Sequence, residues 1–326
     1  MTNWKAGIPA FRYVSSSAWS IHMKRFTAFL ALLVFALMQT ASAQNVYGEM
    51  KLEYTDGFLL AKTAMPNGEQ GWFAVDLATG TTAVTKAYAG TSQIEDMRDD
   101  RDPLARPAAH FALGGFGVSS EIVGTTTMPR LTVGGLQFEN AKVMVMDRMP
   151  EVGGRHLAGI LGLDMLRRAE IAVFMYGDSP RLLLKSRERP AAEGALVVPM
   201  RVENDYVLID GKLNGEPVHF LIDTGSPESY IPVKTVRATG AAAVPNSTRT
   251  ITLLDGSKTK IRDAQVKSLD IAGRSFSTAD FRIGELPVFG MLPGDVTPVL
   301  LGNSFLGAMQ SVQFNFSEKT VRLIVQ

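Results

Sequence analysis

The chain has 326 residues, 46% hydrophobic and 20% charged, which is the size of two ordinary domains with a globular make-up. Its net charge of +1, from scattered Lys and Arg, leaves no footprint for nucleic acid. With no cysteine there is no disulfide, thiolate metal site, cysteine nucleophile or lipid-modified N-terminal cysteine, and the four histidines (His22, His110, His156, His219) fall at no metal-ligand spacing. Neither a metal nor a cofactor is expected.

The N-terminus reads as a targeting segment. Met23-Lys24-Arg25 is a positive start, Phe26 to Met38 is apolar except for Thr27, and Ala41-Ser42-Ala43 is an Ala-x-Ala cleavage signal before Gln44. A cleavable signal peptide is therefore expected over Met23–Ala43, with residues 1–22 an upstream extension that matches no element and Met23 the expected start. The apolar run is short for a transmembrane span; an uncleaved anchor is the competing reading. The expected product is exported, periplasmic or secreted, and free of the membrane once the signal is removed.

Beyond the signal, short apolar runs dominate. Phe58-Leu59-Leu60, Trp72 to Val75, Val143 to Met146 and Ile171 to Phe174 read as strands in the first half. Tyr206 to Ile209, Phe220-Leu221-Ile222, Val299-Leu300-Leu301 and Val321 to Val325 do so in the second. Asn67-Gly68, Asn214-Gly215 and Asp255-Gly256 are turn dipeptides between such runs. The predicted class is all-β. The polar stretch Glu95 to Pro103 reads as a surface loop or short exposed helix, and Trp72, Met144, Met146 and Met149 read as packing residues.

The two halves repeat. Asn67-Gly68-Glu69 to Phe73-Ala74-Val75-Asp76 lies over Asn214-Gly215-Glu216 to Phe220-Leu221-Ile222-Asp223 without a gap, at an offset of 147 (223 − 76). Leu131 to Phe138 matches Leu269 to Phe276, Ile160 to Leu166 matches Leu300 to Leu306, and Arg181 to Leu184 matches Arg322 to Val325, in the same order. A period this long signifies two duplicated domains. They are expected at 45–186 and 195–326, joined by a polar, proline-broken linker at 187–194.

The second half carries the sharper motif. Phe220-Leu221-Ile222 is a buried strand ending at Asp223; Thr224 can hydrogen-bond outward, Gly225 lets the chain turn with no side chain in the way, and Ser226 brings a hydroxyl and an amide close to the carboxylate. With Tyr230-Ile231-Pro232 and the later Leu300-Leu301-Gly302, this half resembles the retropepsin-like (clan AA) aspartic peptidases, and among them the bacterial exported type. The resemblance covers about residues 195 to 326 well and 47 to 186 more weakly. It implies two tandem acid-protease β-barrel lobes in a pepsin-like pseudo-twofold arrangement, each supplying one Asp. Catalysis would fall to Asp223 and Asp76, supported by Thr224, Gly225, Ser226, Gly302 and Gly162, with a flap candidate at Asp255 and Gly256. The two glycines before the helical turns would let a strand pass close to the Asp loops.

The first half departs from the pattern. Asp76 is followed by Leu77-Ala78-Thr79, so the threonine that braces the paired loops is replaced by leucine, and Ala78 stands where glycine is expected. A rival register sets Ala78-Thr79-Gly80 over Asp223-Thr224-Gly225, making the first lobe a relic. Asp164 reads as a polar terminus of a helical turn because Ser304 is its repeat mate, and His219 takes no catalytic part.

The expected function is exported aspartic endopeptidase on a peptide or protein substrate. Two further readings stay open. One is a homodimeric peptidase that uses only Asp223, so the protein is a monomer or a homodimer. The other is a non-catalytic periplasmic protein that binds peptide in its cleft by β-addition.

Overall fold

A computed structural model describes residues 47–90, 94–95, 122–186, 194–252, 258–276 and 280–325. The signal segment Met23–Ala43, the linker except Gly194, nearly all of Glu95 to Pro103, and the hairpin tip with Asp255 and Gly256 lie outside the described residues. The described chain is all-β with a few short helical turns, and it forms two lobes. Among the described residues no helix is long and apolar enough to cross a membrane.

Each lobe is built on the same hairpin. In the second, Asn214 and Gly215 both take left-handed backbone angles (φ 53° and 87°) and join Tyr206–Leu213 to Glu216–Ile222. That turn matches the twist of the strands it connects. In the first, the corresponding hairpin joins Phe58–Ala64 to Gln70–Val75. The matched segments at Gly134-Gly135 and Ala272-Gly273 are left-handed turns too, closing the hairpins Ile122–Val133 with Leu136–Met146 and Leu269–Ile271 with Arg274–Phe276.

The strand that ends at each Asp runs through the lobe's interior. Glu216–Ile222 pairs in parallel with Pro298–Leu301, and Gln70–Val75 pairs in parallel with Arg155–Leu161. Phe220, Leu221, Ile222, Val299, Leu300 and Leu301 are all buried, as are Phe73, Ala74, Val75, Ile160 and Leu161. Covered on both faces, these strands read as unbroken apolar runs rather than alternating ones. Trp72, Met144 and Met146 are buried, and Met149 packs against the core.

A sheet made from both lobes joins them. Its order is Gly48–Lys51, Arg181–Lys185, Ile171–Met175, Met309–Asn315, Thr320–Val325 and Leu196–Glu203. The central pair meets antiparallel with Val173 opposite Gln313. These two residues are repeat mates at the offset of 140 (313 − 173) that also relates Gly162 to Gly302. The pseudo-twofold axis therefore passes through this pair, and the two lobes are related across it.

Candidate active site

Asp76 and Asp223 each follow the last residue of an interior strand, and both are buried. The backbone holds them in the same way. Asp76 N–H donates to the Leu161 carbonyl and Asp223 N–H to the Leu301 carbonyl, each at 3.0 Å. Leu163 N–H donates to the Thr79 carbonyl and Asn303 N–H to the Ser226 carbonyl, each at 2.8 Å. Gly162 N–H donates to the Thr82 hydroxyl at 2.9 Å, and Gly302 N–H to the Ser229 hydroxyl at 3.1 Å. Each of these bonds joins residues on the 147 offset to residues on the 140 offset. The loop geometry thus sets Asp76, and not Ala78, in the place equivalent to Asp223.

The glycines work by making room. A Cβ on Gly302 would stand 2.2 Å from the Glu228 carbonyl oxygen, and one on Gly162 would stand 2.6 Å from that of Thr79. A Cβ on Gly225 would lie 2.2 Å from the Asp76 carboxyl carbon. The Asp76 carboxyl thus occupies the space Gly225 leaves empty. Neither Gly225 nor Ala78 has a left-handed backbone, so alanine at 78 carries no backbone strain.

The two carboxyls meet. Both are buried, Asp76 lies against Gly225 in the Asp223 loop, and each carboxyl shifts the other's titration. Their surroundings differ. Asp76 accepts the Ala78 N–H at 2.7 Å on Oδ1 and the Thr79 hydroxyl at 2.6 Å on Oδ2. Asp223 accepts the Gly225 N–H at 2.9 Å. The equivalent hydroxyl, that of Ser226, turns away and donates to the Glu228 carbonyl at 2.8 Å. Burial pushes the Asp76 carboxyl above the usual carboxylate range, and the Thr79 hydroxyl and Ala78 amide then draw it down. Burial pushes Asp223 well above that range, and the neighbouring charge of Asp76 pushes it further. Of the two, Asp223 is therefore the carboxyl pushed further toward its protonated form.

The loops are braced from one side. Thr224 Oγ1 accepts the Leu77 N–H and donates to the Val75 carbonyl, both at 3.0 Å. Leu77 returns no such bond, because it has no hydroxyl; its side chain is buried in the core instead. Behind the loops, Asp164 Oδ1 accepts the Thr82 hydroxyl at 2.6 Å, and Ser304 pairs with the Ser229 hydroxyl at 3.0 Å. Repeat mates thus do one job with different chemistry. Asp164 lies in the first turn of the short helix Leu163–Leu166, and burial holds its carboxyl above the usual range. His219 accepts the Thr297 N–H on Nδ1 at 3.1 Å, a bond within the lobe and apart from the dyad.

An apolar wall flanks the pair. Tyr206, Leu221, Tyr230, Leu286, Val288 and Phe289 form a buried cluster that Ala78 and Ile251 pack against. Burial, and after it the neighbouring acids with Asp76 first among them, holds the Tyr206 phenol above its ordinary value. Tyr206 lay in a strand expected from the sequence but was not singled out there. Thr79, Thr82 and Ser229 were missed as well, although the 147 offset runs on through Thr79 and Ser226 to Thr82 and Ser229. The flap candidate is represented by its arms: Arg249–Thr252 pairs antiparallel with Lys258–Gln265, while Asp255 and Gly256 lie outside the described residues.

Residues 209–308 match the family model described as "gag-polyprotein putative aspartyl protease". No curated protein sequence matches the chain. Among solved structures, the chain is similar to the aspartic proteinase from Irpex lacteus, with a TM-score of 0.52 and 15% identity over 86% of this chain and 97% of that one. Basic 7S globulin from soybean (TM-score 0.43, 11% identity) and conglutin gamma from lupine seeds (TM-score 0.46, 11% identity) also match, each over 86% of this chain and 95% of theirs. The chain has the retropepsin- and pepsin-like fold of the aspartic peptidases, all-β and in two lobes, with one Asp loop from each.

Proposed function

We propose that the protein is an exported aspartic endopeptidase whose dyad, Asp76 and Asp223, is completed within one chain. The observation that carries this reading is the approach of two buried carboxyls on matched loops, with the Asp76 carboxyl filling the space beside Gly225. A water held between them meets one base and one acid. Asp76, ionised, takes a proton from the water as its oxygen bonds to the peptide carbonyl carbon, and Asp223 gives its proton to the carbonyl oxygen. In the tetrahedral intermediate the C–N bond then breaks. The proton held by Asp76 goes to the departing nitrogen, and Asp223 recovers its own, leaving a carboxylic acid and an amine. Two carboxyls and one water balance the reaction, with no covalent enzyme intermediate.

A partner for Asp223 in the same chain favours the one-chain dyad over a homodimer that uses Asp223 twice. The test is digestion of a denatured protein mixture by the mature chain from Gln44 onward, from acid to neutral pH. Cleavage is expected, blocked by a statine-type inhibitor and lost in both Asp223→Asn and Asp76→Asn. Retention of activity in Asp76→Asn would refute the one-chain dyad in favour of the homodimer. Absence of cleavage by the unaltered chain at every pH would refute hydrolysis and leave a peptide-binding protein. Export is tested separately: the processed N-terminus should be Gln44.

A further inference from the structure

Five residues beyond Asp223, on the same loop, Glu228 is the centre of a charged cluster. Its Oε1 accepts Arg249 Nη2 at 2.7 Å and Arg282 Nε at 2.8 Å, and its Oε2 accepts the Tyr230 hydroxyl at 3.0 Å. The other prong of Arg249, Nη1, donates to Asp263 Oδ1 at 2.9 Å, and Arg282 Nε lies 3.4 Å from the same oxygen. Two guanidinium groups and two carboxylates thus alternate, with every charge matched. The residues come from separate elements. Arg249 opens the strand Arg249–Thr252, Asp263 lies on its partner Lys258–Gln265, Arg282 lies on Phe281–Ile283, and Glu228 precedes Ser229–Ile231.

The fork of Arg249 joins the hairpin to the Asp223 loop. Arg249 and Ile251 share one face of their strand, as residues two apart do. Ile251 packs against the cluster of Tyr206, Leu221 and Tyr230 that walls the carboxyl pair. Glu228 in turn is fixed to the loop's core, since its carbonyl accepts the Ser226 hydroxyl and its backbone lies where Gly302 leaves room. We propose that Arg249 is a positioning residue for the hydrolysis: it clamps the root of the 249–265 hairpin to Glu228 and so fixes the Ile251 wall beside the dyad. The inference rests on the endopeptidase reading. A lysine would serve less well, because its compact ammonium lacks the rigid planar fork by which Nη1 and Nη2 of Arg249 reach the two carboxylates.

The test compares Arg249→Met, Arg249→Lys and Glu228→Gln with the unaltered protein by two measurements. With a peptide substrate, Arg249→Met should raise KM on the order of 5-fold, as expected for a partly exposed pair of ion pairs. Its kcat and the limbs of its pH profile should stay where they were, because neither carboxyl of the dyad has changed. Arg249→Lys should restore part of the KM. By hydrogen exchange, amides of Arg249–Thr252 and Lys258–Gln265 should exchange faster in Arg249→Met and in Glu228→Gln, while those of Glu216–Ile222 keep their protection. Unchanged exchange in the hairpin arms overturns the clamp, whether or not any substrate is cut. Faster exchange with unchanged KM overturns its part in hydrolysis. An unaltered protein that cuts nothing overturns the endopeptidase reading instead, and the exchange measurement still decides the clamp.

Discussion

Thr224→Val removes one oxygen and leaves the shape of the side chain nearly intact. The hydroxyl it deletes accepts the Leu77 N–H and donates to the Val75 carbonyl, both at 3.0 Å. Val75, Leu77 and Thr224 are 1%, 0% and 1% exposed, so water cannot replace the lost partner. Two backbone groups are left unsatisfied, at about 1–3 kcal/mol each. A cost of roughly 2–4 kcal/mol follows, after allowing for the methyl group gained. In a domain near this size each kcal/mol lowers Tm by roughly 2–4 °C, so a fall of roughly 5–15 °C is expected. Thermal unfolding of the mature chain reads it. Thr235→Val is the control: Thr235 is equally buried in the same lobe, but its hydroxyl donates only to the Pro298 carbonyl, at 2.8 Å, and lies away from the paired loops. It should lose less stability and little activity. Thr224→Val should also lose kcat, because a displacement of about 1 Å between reacting groups can cost roughly 100-fold. If Thr224→Val melted within about 1 °C of the unaltered chain and kept its kcat, the hydroxyl would be no brace and the argument from burial would be wrong.

Two predictions concern the charge of the pair. Thr79→Val removes a hydroxyl that favours the ionised form of Asp76; the acid limb of the kcat/KM profile should move to higher pH by roughly 1–2 units, the worth of a hydrogen bond to a charge. A limb that stayed put or moved down would show that Asp76 is not the ionised partner. Asp223→Asn should be more stable than the unaltered chain at neutral pH. The folded-state value of Asp223 lies above the unfolded one, so its contribution is fully present below about pH 4 and declines as pH rises toward the folded value. Asparagine escapes that decline, and the variant should gain about 1.4 kcal/mol of relative stability per pH unit over that window. Paired melts from pH 3 to pH 7 check this, and a difference that did not change with pH would refute it.

The doubled hairpin was legible because it is local chemistry. An Asn-Gly turn, an apolar run and a terminal Asp sit within ten residues, and both halves keep them in step. The repeat at Gly162 and Gly302 was legible for a similar reason, since a glycine before a short helical turn marks close backbone approach. What stayed hidden depends on which way a side chain faces. Thr79 and Ser226 are repeat mates of nearly the same type, yet one hydroxyl points to its Asp and the other to the Glu228 carbonyl. Leu77 read as a lost brace, but its amide kept half of the contact, which no side-chain pattern records. The joint sheet was illegible too. Ile171–Met175 and Met309–Asn315 are each unremarkable strands, and nothing in their composition says that they pair with each other. The cluster of Glu228, Arg249, Asp263 and Arg282 draws on four elements, and charged residues scattered in sequence carry no signal of partnership.

The departure at Leu77-Ala78 is better understood as a freedom of fused lobes than as decay. In a symmetric pair of identical chains, whatever one loop carries the other must carry, so a brace is made twice or not at all. Within one chain the requirements separate. An amide and a hydroxyl hold the Asp76 carboxyl, and Ala78 and Thr79 supply them without the usual threonine and glycine. Two loops need a bond across the axis, and one threonine hydroxyl meets a donor and an acceptor on the opposite strand end. One carboxyl needs an empty place beside it, and Gly225 gives that place to Asp76. The roles also have to differ in the reaction, since two adjacent acids cannot both ionise and one must act as base while the other acts as acid. A symmetric pair leaves that choice to the bound substrate. Here the hydroxyl of Thr79 faces Asp76 while that of Ser226 has turned away, and the chain has built the inequality into its own loops.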